Sequence, residues 1–195
     1  MQSPVPAPGH PDIRSMRSDE IEATLDLFEA VAAERVWMGT EPGFDRESRA
    51  ANWRTAMTDP TARLLVLVEP GGDRLLGQGY VHVARYGVAE IGMFLRADAR
   101  GRGLGGRLLD AMVAAADELG AHKVELQVWP HNEAALRLYQ SRGFVVEGRI
   151  RAHYRRASGE LWDAILMGLV RDPASVRSSG LPDAPGLPAS IPITP

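Results

Sequence analysis

Residues 101–106 (GRGLGG) restrict the fold of this chain more than any other segment. They follow a strand-like stretch, residues 88–95, and they precede a stretch with helical periodicity. Glycine permits positive φ and lets a ligand come close to the backbone. At the start of a helix, free N–H groups and the helix dipole favour an anion. The segment therefore predicts a pyrophosphate-binding loop between a strand and a helix.

Apolar periodicity divides the rest of the chain into helices and strands. Helices are predicted from an N-cap at Ser18 through Val31, from an N-cap at Asp45 through Ala56, and over residues 105–119 and 133–142. Strands are predicted over residues 13–17, 62–68, 75–85, 88–95, 122–129, 144–155 and 162–169. This order predicts a mixed α/β fold, a mostly antiparallel twisted sheet of six to seven strands with helices on both faces.

Both ends of the chain are rich in proline. Residues 1–11 contain four prolines and residues 172–195 contain six, with little apolar material between them. Such segments cannot bury enough surface to offset the entropy of ordering. We therefore expect disordered tails on either side of one domain, residues 12–171.

Charge and composition argue against several classes of protein. The formal net charge of −3 offers no broad positive field for a nucleic acid. There are no cysteines and five scattered histidines, which argues against disulfides, a cysteine nucleophile and a metal site. The N-terminus lacks the pattern of a signal peptide, and no apolar run approaches the roughly 20 residues of a membrane helix. We expect a cytoplasmic protein with no nucleic acid or membrane partner.

The glycine loop also fits the dinucleotide-binding pattern G-x-G-x-x-G. In dinucleotide-binding proteins the loop leaves the first strand directly, and an acid ends the next strand about 20 residues later. Here three predicted strands precede residues 88–95, residues 96–99 follow that strand before Arg100 and Gly101, and Glu125 lies inside its strand. A nicotinamide-dependent reductase is therefore the weaker interpretation.

Preceded by Arg100, the loop fits a second pattern, [Arg/Gln]-x-x-Gly-x-[Gly/Ala]. A further motif, Asn-x-x-Ala-x-x-Leu-Tyr-x-x-x-Gly-Phe, occupies residues 132–144. By itself the second motif describes an ordinary core helix, with Asn132 as its N-cap and Gly143 beyond its end. In this order, and with a predicted strand between them, the two motifs resemble the GNAT superfamily of N-acetyltransferases over about residues 12–170.

The resemblance implies that acetyl-CoA is the co-substrate. Backbone amides of residues 102–106 would hold its pyrophosphate, two arginines would add charge, and a backbone N–H near the end of the preceding strand would polarise the thioester carbonyl. The predicted acetyl-CoA contacts are Phe94, Leu95, Arg100, Arg102, Gly103, Leu104, Gly105, Gly106, Asn132 and Tyr139.

The resemblance also suggests catalytic residues. Tyr139 would be the acid that protonates the departing thiolate, although a core tyrosine bound to a backbone carbonyl is the alternative. Glu90 would be the base, acting directly or through water, although an exposed strand glutamate would look the same. His82 and His153 are further candidates for the base.

The amine acceptor is the least determined part of the sequence. Arg149, Arg151, His153 and Arg155 alternate at the strand period, which suits an acceptor carboxylate or a solvated sheet edge. Amino acids, peptide N-termini, polyamines and antibiotic amines all fit. A non-catalytic acetyl-CoA sensor is the alternative function, and a homodimer is left open.

Overall fold

A computed structural model describes residues 11–171, so the predicted tails lie outside the described residues except for residue 11. Four helices and seven strands are present in this range. In chain order they are β1 Asp12–Ser15, α1 Ile21–Ala33, α2 Arg46–Thr58, β2 Ala62–Val68, β3 Leu75–Val83, β4 Val88–Leu95, α3 Leu104–Glu118, β5 Lys123–Val128, α4 Glu133–Ser141, β6 Val145–Arg155 and β7 Leu161–Val170. Short 3-10 turns, Ser18–Glu20 and Ala97–Ala99, precede α1 and follow β4.

The strands form one sheet in the order β1-β2-β3-β4-β5-β7-β6. Every neighbouring pair is antiparallel except β4 and β5, which are parallel. This confirms the predicted mixed, mostly antiparallel sheet. The pairing of β4 with β5 ends at Glu90 and Glu125, although the strands continue to Leu95 and Val128. Beyond that point the two strands diverge and leave an opening in the middle of the sheet.

Helices cover both faces of the sheet, as predicted. On one face α3 packs through Leu108, Leu109 and Met112, which are fully buried, and α4 packs through Leu136 and Tyr139. On the other face α1 and α2 pack through Phe28 and Trp53. Burial of this apolar surface is the main stabilising contribution. It also fixes the two edges of the central opening against rigid helices.

The two predicted N-caps have different outcomes. Asp45 caps α2, since its Oδ1 accepts the backbone N–H of Ser48 at 2.9 Å. The Ser18 prediction is wrong, because Ser18 begins the 3-10 turn and α1 starts only at Ile21. The side chain that accepts a backbone hydrogen bond at this helix start is instead that of Glu20, whose carboxylate accepts the Arg17 N–H at 2.8 Å.

Glu20 is a buried carboxylate that joins β1 to α1. Its side chain is 7% exposed and accepts the Arg14 guanidinium at 2.6 and 2.8 Å. We expect Glu20→Gln to lower the free energy of unfolding by about 1–3 kcal/mol, because Arg14 would lose its charged partner. Chemical denaturation of this variant and of Asp19→Asn, an exposed acid beside it, is the measurement. Equal midpoints for the two variants would contradict the expectation.

The same contact gives a dependence of stability on pH. Hydrogen bonding to Arg14 holds the pKa of Glu20 below its ordinary value. A lowered folded-state pKa means that the stabilisation is complete above the unfolded pKa of about 4.3 and is lost as pH falls through the folded value. We therefore expect the difference in stability between wild type and Glu20→Gln to shrink in acid.

Candidate active site

The glycine loop connects the end of β4 to α3. Gly101 and Gly103 have φ of +71° and +75°, and a Cβ built on either would meet nothing within 4 Å. These glycines are therefore required by backbone conformation and not by packing. The Arg107 N–H reaches the Gly103 carbonyl at 3.4 Å. The N–H groups before it, at the first turn of α3, have no intrahelical acceptor, which is the arrangement that can bind an anion at a helix N-terminus.

Gly105 and Gly106 serve a different purpose. A Cβ at Gly105 would lie 3.3 Å from both Leu138 and Leu95, and one at Gly106 would lie 2.5 Å from the Arg142 guanidinium. Both glycines let α3 pass close to α4 and β4. Leu104 is buried beneath the loop in a small apolar cluster. The loop is thus anchored by its own leucine and held against both flanking elements.

The two loop arginines differ in their surroundings. Arg100 donates to both oxygens of Glu34 at 2.7 Å and to the Leu95 carbonyl at 2.9 and 3.0 Å. Its guanidinium also lies 5.4 Å from the Trp37 ring centroid. Arg102 is exposed and donates only a long hydrogen bond, 3.4 Å, to the Asp98 carbonyl. Arg102 is therefore the more available charge at the loop, whereas Arg100 joins the end of β4 to the end of α1.

The free edge of β4 is defined by its pairing with β3. The Arg96 N–H donates to the Leu76 carbonyl at 2.9 Å, so alternate backbone groups of β4 face β3. By this alternation the Phe94 N–H belongs to the ladder with β3. The Met93 and Leu95 N–H groups face the opening. Of the two residues predicted to polarise a carbonyl, Leu95 has the free N–H, while Phe94 contributes a ring to the core beside α1.

A cavity of about 550 Å³ lies at the opening between β4 and β5. Asn132 and Tyr139 line it from the side of α4. The rest of its wall comes from the α1 and α2 side of the sheet and from strands β3 to β7. The residues of that part of the wall that bear on function are Trp37, Arg49, Asn52, Gln78, Tyr80, Gly92, Gln127, Trp129 and Tyr154. The cavity therefore gives access to the free edge of β4 from both faces of the sheet.

Tyr139 is almost completely buried at this cavity, 9% exposed. Burial raises its pKa to about 12. No hydrogen bond to its hydroxyl comes from residues 11–171, and the oxygen is not sealed from the cavity. The alternative of a core tyrosine bound to a backbone carbonyl is therefore not what the structure shows. The phenol is protonated at neutral pH and its donor is unused.

Asn132 and Gly143 hold Tyr139 in place through the ends of α4. The Asn132 Oδ1 accepts the Ala135 N–H at 3.2 Å, and Gly143 has φ of +84°. Both confirm the predicted helix ends. The amide nitrogen of Asn132 has no part in the cap and can donate into the cavity.

Glu90 lies at the margin of the site. It is exposed and shares a face of β4 with Gly92, two residues on, which lines the cavity, while Glu90 itself does not. The pKa of Tyr80, a cavity residue, is raised by burial and secondarily by the charge of Glu90. Glu90 is therefore close enough for its charge to act on Tyr80, but it does not itself line the cavity. The alternative bases, His82 and His153, are also outside the cavity wall.

The four alternating residues of β6 form a solvated sheet edge, the second of the two predicted alternatives: β6 is the edge strand and all four residues are exposed. The register of β6 with β7 shifts between Ile150 and Tyr154, and Ala152 has φ of +51°. Arg149 is paired with Asp163 at 2.6 Å. The shift turns Tyr154 toward the site, where its hydroxyl donates to Gln127 at 3.1 Å. A bulge thus interrupts the two-residue period within β6, and none of the four residues lines the cavity described above.

The contribution of α2 to the cavity was not predicted from the sequence. Arg49, Asn52 and Trp53 all line it, at spacings of three and four residues on one helical face. This spacing in the sequence could have indicated that the three residues share a face. The pattern is hard to recognise because α2 is weakly amphipathic, with only Ala50 and Trp53 buried.

Residues 11–171 include neither a membrane-spanning helix nor a cluster of metal ligands. In this range no helix has the length and apolar character needed to cross a bilayer. The same residues contain no group of three His, Asp or Glu side chains arranged to hold a metal ion.

Comparison with known sequences identifies a protein family whose model matches this chain. The acetyltransferase (GNAT) family model matches residues 25–144, which is more than half of the chain. The L-amino acid N-acyltransferase MnaT of Escherichia coli is 27% identical over 146 residues, covering 71% of this chain and 81% of that protein. The L-methionine sulfoximine/L-methionine sulfone acetyltransferase of Pseudomonas paraeruginosa is 25% identical over 168 residues, covering 83% and 95%.

Comparison with solved structures shows the same fold. The Salmonella typhimurium acetyltransferase yncA, solved with acetyl-CoA, superposes with a TM-score of 0.75 at 20% identity, covering 88% of this chain and 99% of that one. A Sinorhizobium meliloti phosphinothricin acetyltransferase, also solved with acetyl-CoA, has a TM-score of 0.74 at 19% identity, covering 90% and 98%.

Proposed function

The chain belongs to the acetyltransferase (GNAT) family, and on that premise we propose that it transfers the acetyl group of acetyl-CoA to the primary amine of an amino-acid-like small molecule. The observation that carries the proposal is Tyr139, a protonated phenol without a protein partner in residues 11–171, on the wall of a cavity at the free edge of β4. Both relatives described above have amino acids or their analogues in their names. That supports the choice of acceptor class.

The described residues include groups that suit each part of an acetyl-CoA substrate. The first-turn N–H groups of α3 and the exposed Arg102 suit its pyrophosphate. The free N–H groups of Met93 and Leu95 suit the pantetheine arm and the thioester carbonyl, where a positioned donor stabilises developing negative charge. Acetyl-CoA supplies the activated acetyl thioester, and the protein supplies position, polarisation and protons.

The transfer needs one bond made and one broken. The neutral amine nitrogen bonds to the acetyl carbon, the carbon–sulfur bond breaks, and the thiolate takes the proton of the Tyr139 hydroxyl. The proton released by the amine passes through water toward Glu90. Tyr139 then recovers its proton from solvent. No covalent bond to the protein is needed, so both substrates occupy the site together.

A non-catalytic acetyl-CoA sensor is the competing function. It would explain the glycine loop. It would not need an unused proton donor beside a cavity large enough for a second substrate.

A cytoplasmic location and a homodimer are further parts of our proposal, and neither is needed for the chemistry.

The proposal is tested by following thiol release from acetyl-CoA with a panel of amines. The panel contains the standard amino acids, methionine sulfone, their carboxamides, polyamines and short peptides. We expect release that depends on the amine and saturates with it. Acetyl-CoA binding, seen as thermal stabilisation, without release by any amine would favour the sensor.

Gly92 provides a separate test of where the acceptor lies. A Cβ at Gly92 would meet nothing within 4 Å, and the residue lines the cavity. Gly92→Val should therefore fold, while its side chain fills acceptor space. We expect kcat/KM for the acceptor to fall at least about tenfold, the usual cost of a misplaced substrate, with stabilisation by acetyl-CoA retained.

The matched control for Gly92 is Gly148→Val. Gly148 is also a strand glycine with open space around its Cβ position, but it is not part of the cavity wall. Equal effects of the two valine substitutions on acceptor kinetics would show that the acceptor does not pass Gly92.

A further inference from the structure

Arg49 is a partly buried cation with little to bind within the protein. Arg49 lines the cavity, and its guanidinium lies 4.9 Å from the centroid of the Phe28 ring. Its one hydrogen bond goes to the Thr40 hydroxyl at 3.3 Å. An arginine has five N–H donors, so most of those of Arg49 have no acceptor within residues 11–171. Burial, with no acid to oppose it, lowers its pKa.

Neighbouring arginines are paired differently. Each of three others has a carboxylate partner: Arg46 with Glu29 at 2.6 Å, Arg100 with Glu34 at 2.7 Å, and Arg156 with Glu41 at 3.2 Å. These contacts tie segments of the fold together. No carboxylate of the described residues lies within 4.0 Å of the Arg49 guanidinium. An unpaired, partly desolvated charge costs stability, so Arg49 is better explained by a ligand than by the fold.

The charge of the cavity wall is one-sided. Among the described residues that line it, Arg49 is the only charged one, and the other polar groups are amides, hydroxyls and indoles. The cavity therefore favours a negative group. It disfavours a second ammonium group, because like charges repel strongly in a site of low dielectric. This argues against polyamines as acceptors.

We propose that Arg49 binds the carboxylate of the acceptor, and that the acceptors are consequently free α-amino acids or close analogues. The inference rests on the proposed function and names the specificity of the same site. The Phe28 ring contacts both the Arg49 guanidinium, at 4.9 Å, and the ring of Phe94 on β4, at 5.2 Å. A single aromatic ring therefore links Arg49 to the strand that would present the thioester. This placement suits a carboxylate adjacent to the attacking amine.

The opposite wall fits the remainder of such an acceptor. Trp37, Trp129 and Tyr154 line it, and the Trp129 and Tyr154 rings meet edge to face at 4.3 Å. These surfaces suit an apolar or neutral side chain. Arg49 acts here as a specificity-determining residue that holds the substrate and has no part in proton transfer.

Arg49→Gln should raise KM for amino acids about 10- to 100-fold, the value of a lost charge-assisted contact. The contact exists in both the bound substrate and the transition state, so kcat should change little. Arg49→Lys should be intermediate, because it keeps the charge but loses the bidentate fork. Arg54→Gln is the matched control, since it removes the same charge from an exposed position of α2. It should behave like wild type.

The decisive comparison uses each amino acid beside its own carboxamide, from methionine sulfone through the standard apolar amino acids. We expect wild type to prefer the acid at least about tenfold and Arg49→Gln to lose that preference, with equal thermal stabilisation by acetyl-CoA. Acids and amides acetylated equally by wild type, or a preference unchanged in Arg49→Gln, would overturn the role of Arg49 and leave the proposed function intact. If no amine in the panel caused thiol release, both the role of Arg49 and the proposed function would be overturned.

Discussion

Tyr139→Phe is expected to lower kcat for acetyl transfer by a factor of about 10² to 10⁴, the usual contribution of general acid catalysis. The substitution keeps the ring and its packing against Phe144, whose centroid lies 5.8 Å away. It removes a hydroxyl that has no partner in residues 11–171, so folding loses no hydrogen bond. Affinity for acetyl-CoA should barely change. Because the proton is needed only in the transition state, kcat and kcat/KM should fall together.

The matched control is Tyr86→Phe, which removes the same hydroxyl from a residue that is 80% exposed. Its kinetics should equal those of wild type. Pre-steady-state measurements must first establish that chemistry limits turnover. A Tyr139→Phe enzyme with wild-type kcat under that condition would remove Tyr139 from the mechanism.

The pKa of Tyr139 also has a consequence for the pH profile. Since burial raises it to about 12, the acid stays protonated throughout the usual assay range. The rate should rise with pH as the amine loses its proton, with no descending limb from Tyr139 below about pH 11. A descending limb near pH 9 that disappears in Tyr139→Phe would contradict the raised pKa.

The second large effect is expected at the glycine loop. Gly103→Val should weaken acetyl-CoA binding at least about 10- to 100-fold and abolish thermal stabilisation by it. At φ of +75° a β-branched residue is strained by about 1–3 kcal/mol. The loop can relieve that strain only by rotating its peptide groups, which turns the N–H donors away from the pyrophosphate. Titration calorimetry with acetyl-CoA is the measurement.

Gly71→Val separates this effect from general strain. Gly71 has φ of +67° and, like Gly103, open space around its Cβ position, but it lies in the β2–β3 hairpin. It should lose similar stability and keep wild-type affinity for acetyl-CoA. If Gly103→Val also kept that affinity, the loop would not be the pyrophosphate site.

The fold was largely predictable from local patterns. The bounds of β2 and β4 match the predicted strands, and the other strands and helices agree within a few residues. Period-2 and helical spacings report which face a residue buries, and glycine reports a special φ. These signals suffice for a sheet with helices on both faces and for the position of the loop.

The site was less predictable because it depends on contacts between distant segments. Glu34, the partner of Arg100, is separated from it by 66 residues. The divergence of β4 from β5 and the bulge of β6 leave no local pattern. Arg49 looks like any surface arginine until the fold places it on a cavity wall with no acid beside it. The sequence could indicate the proposed acetyl-CoA side of the site but not the proposed acceptor side.

The most direct test of the account is to follow isotopically labelled acetyl groups in a single turnover. Acetyl-CoA labelled in the acetyl group is mixed with excess protein and the amino acid panel, and the products and the intact protein are then weighed by mass spectrometry. The account predicts that the label appears on the amine of an amino acid and that no acetylated protein precedes it. Label that remains on coenzyme A with every amine, although acetyl-CoA is bound, would contradict it.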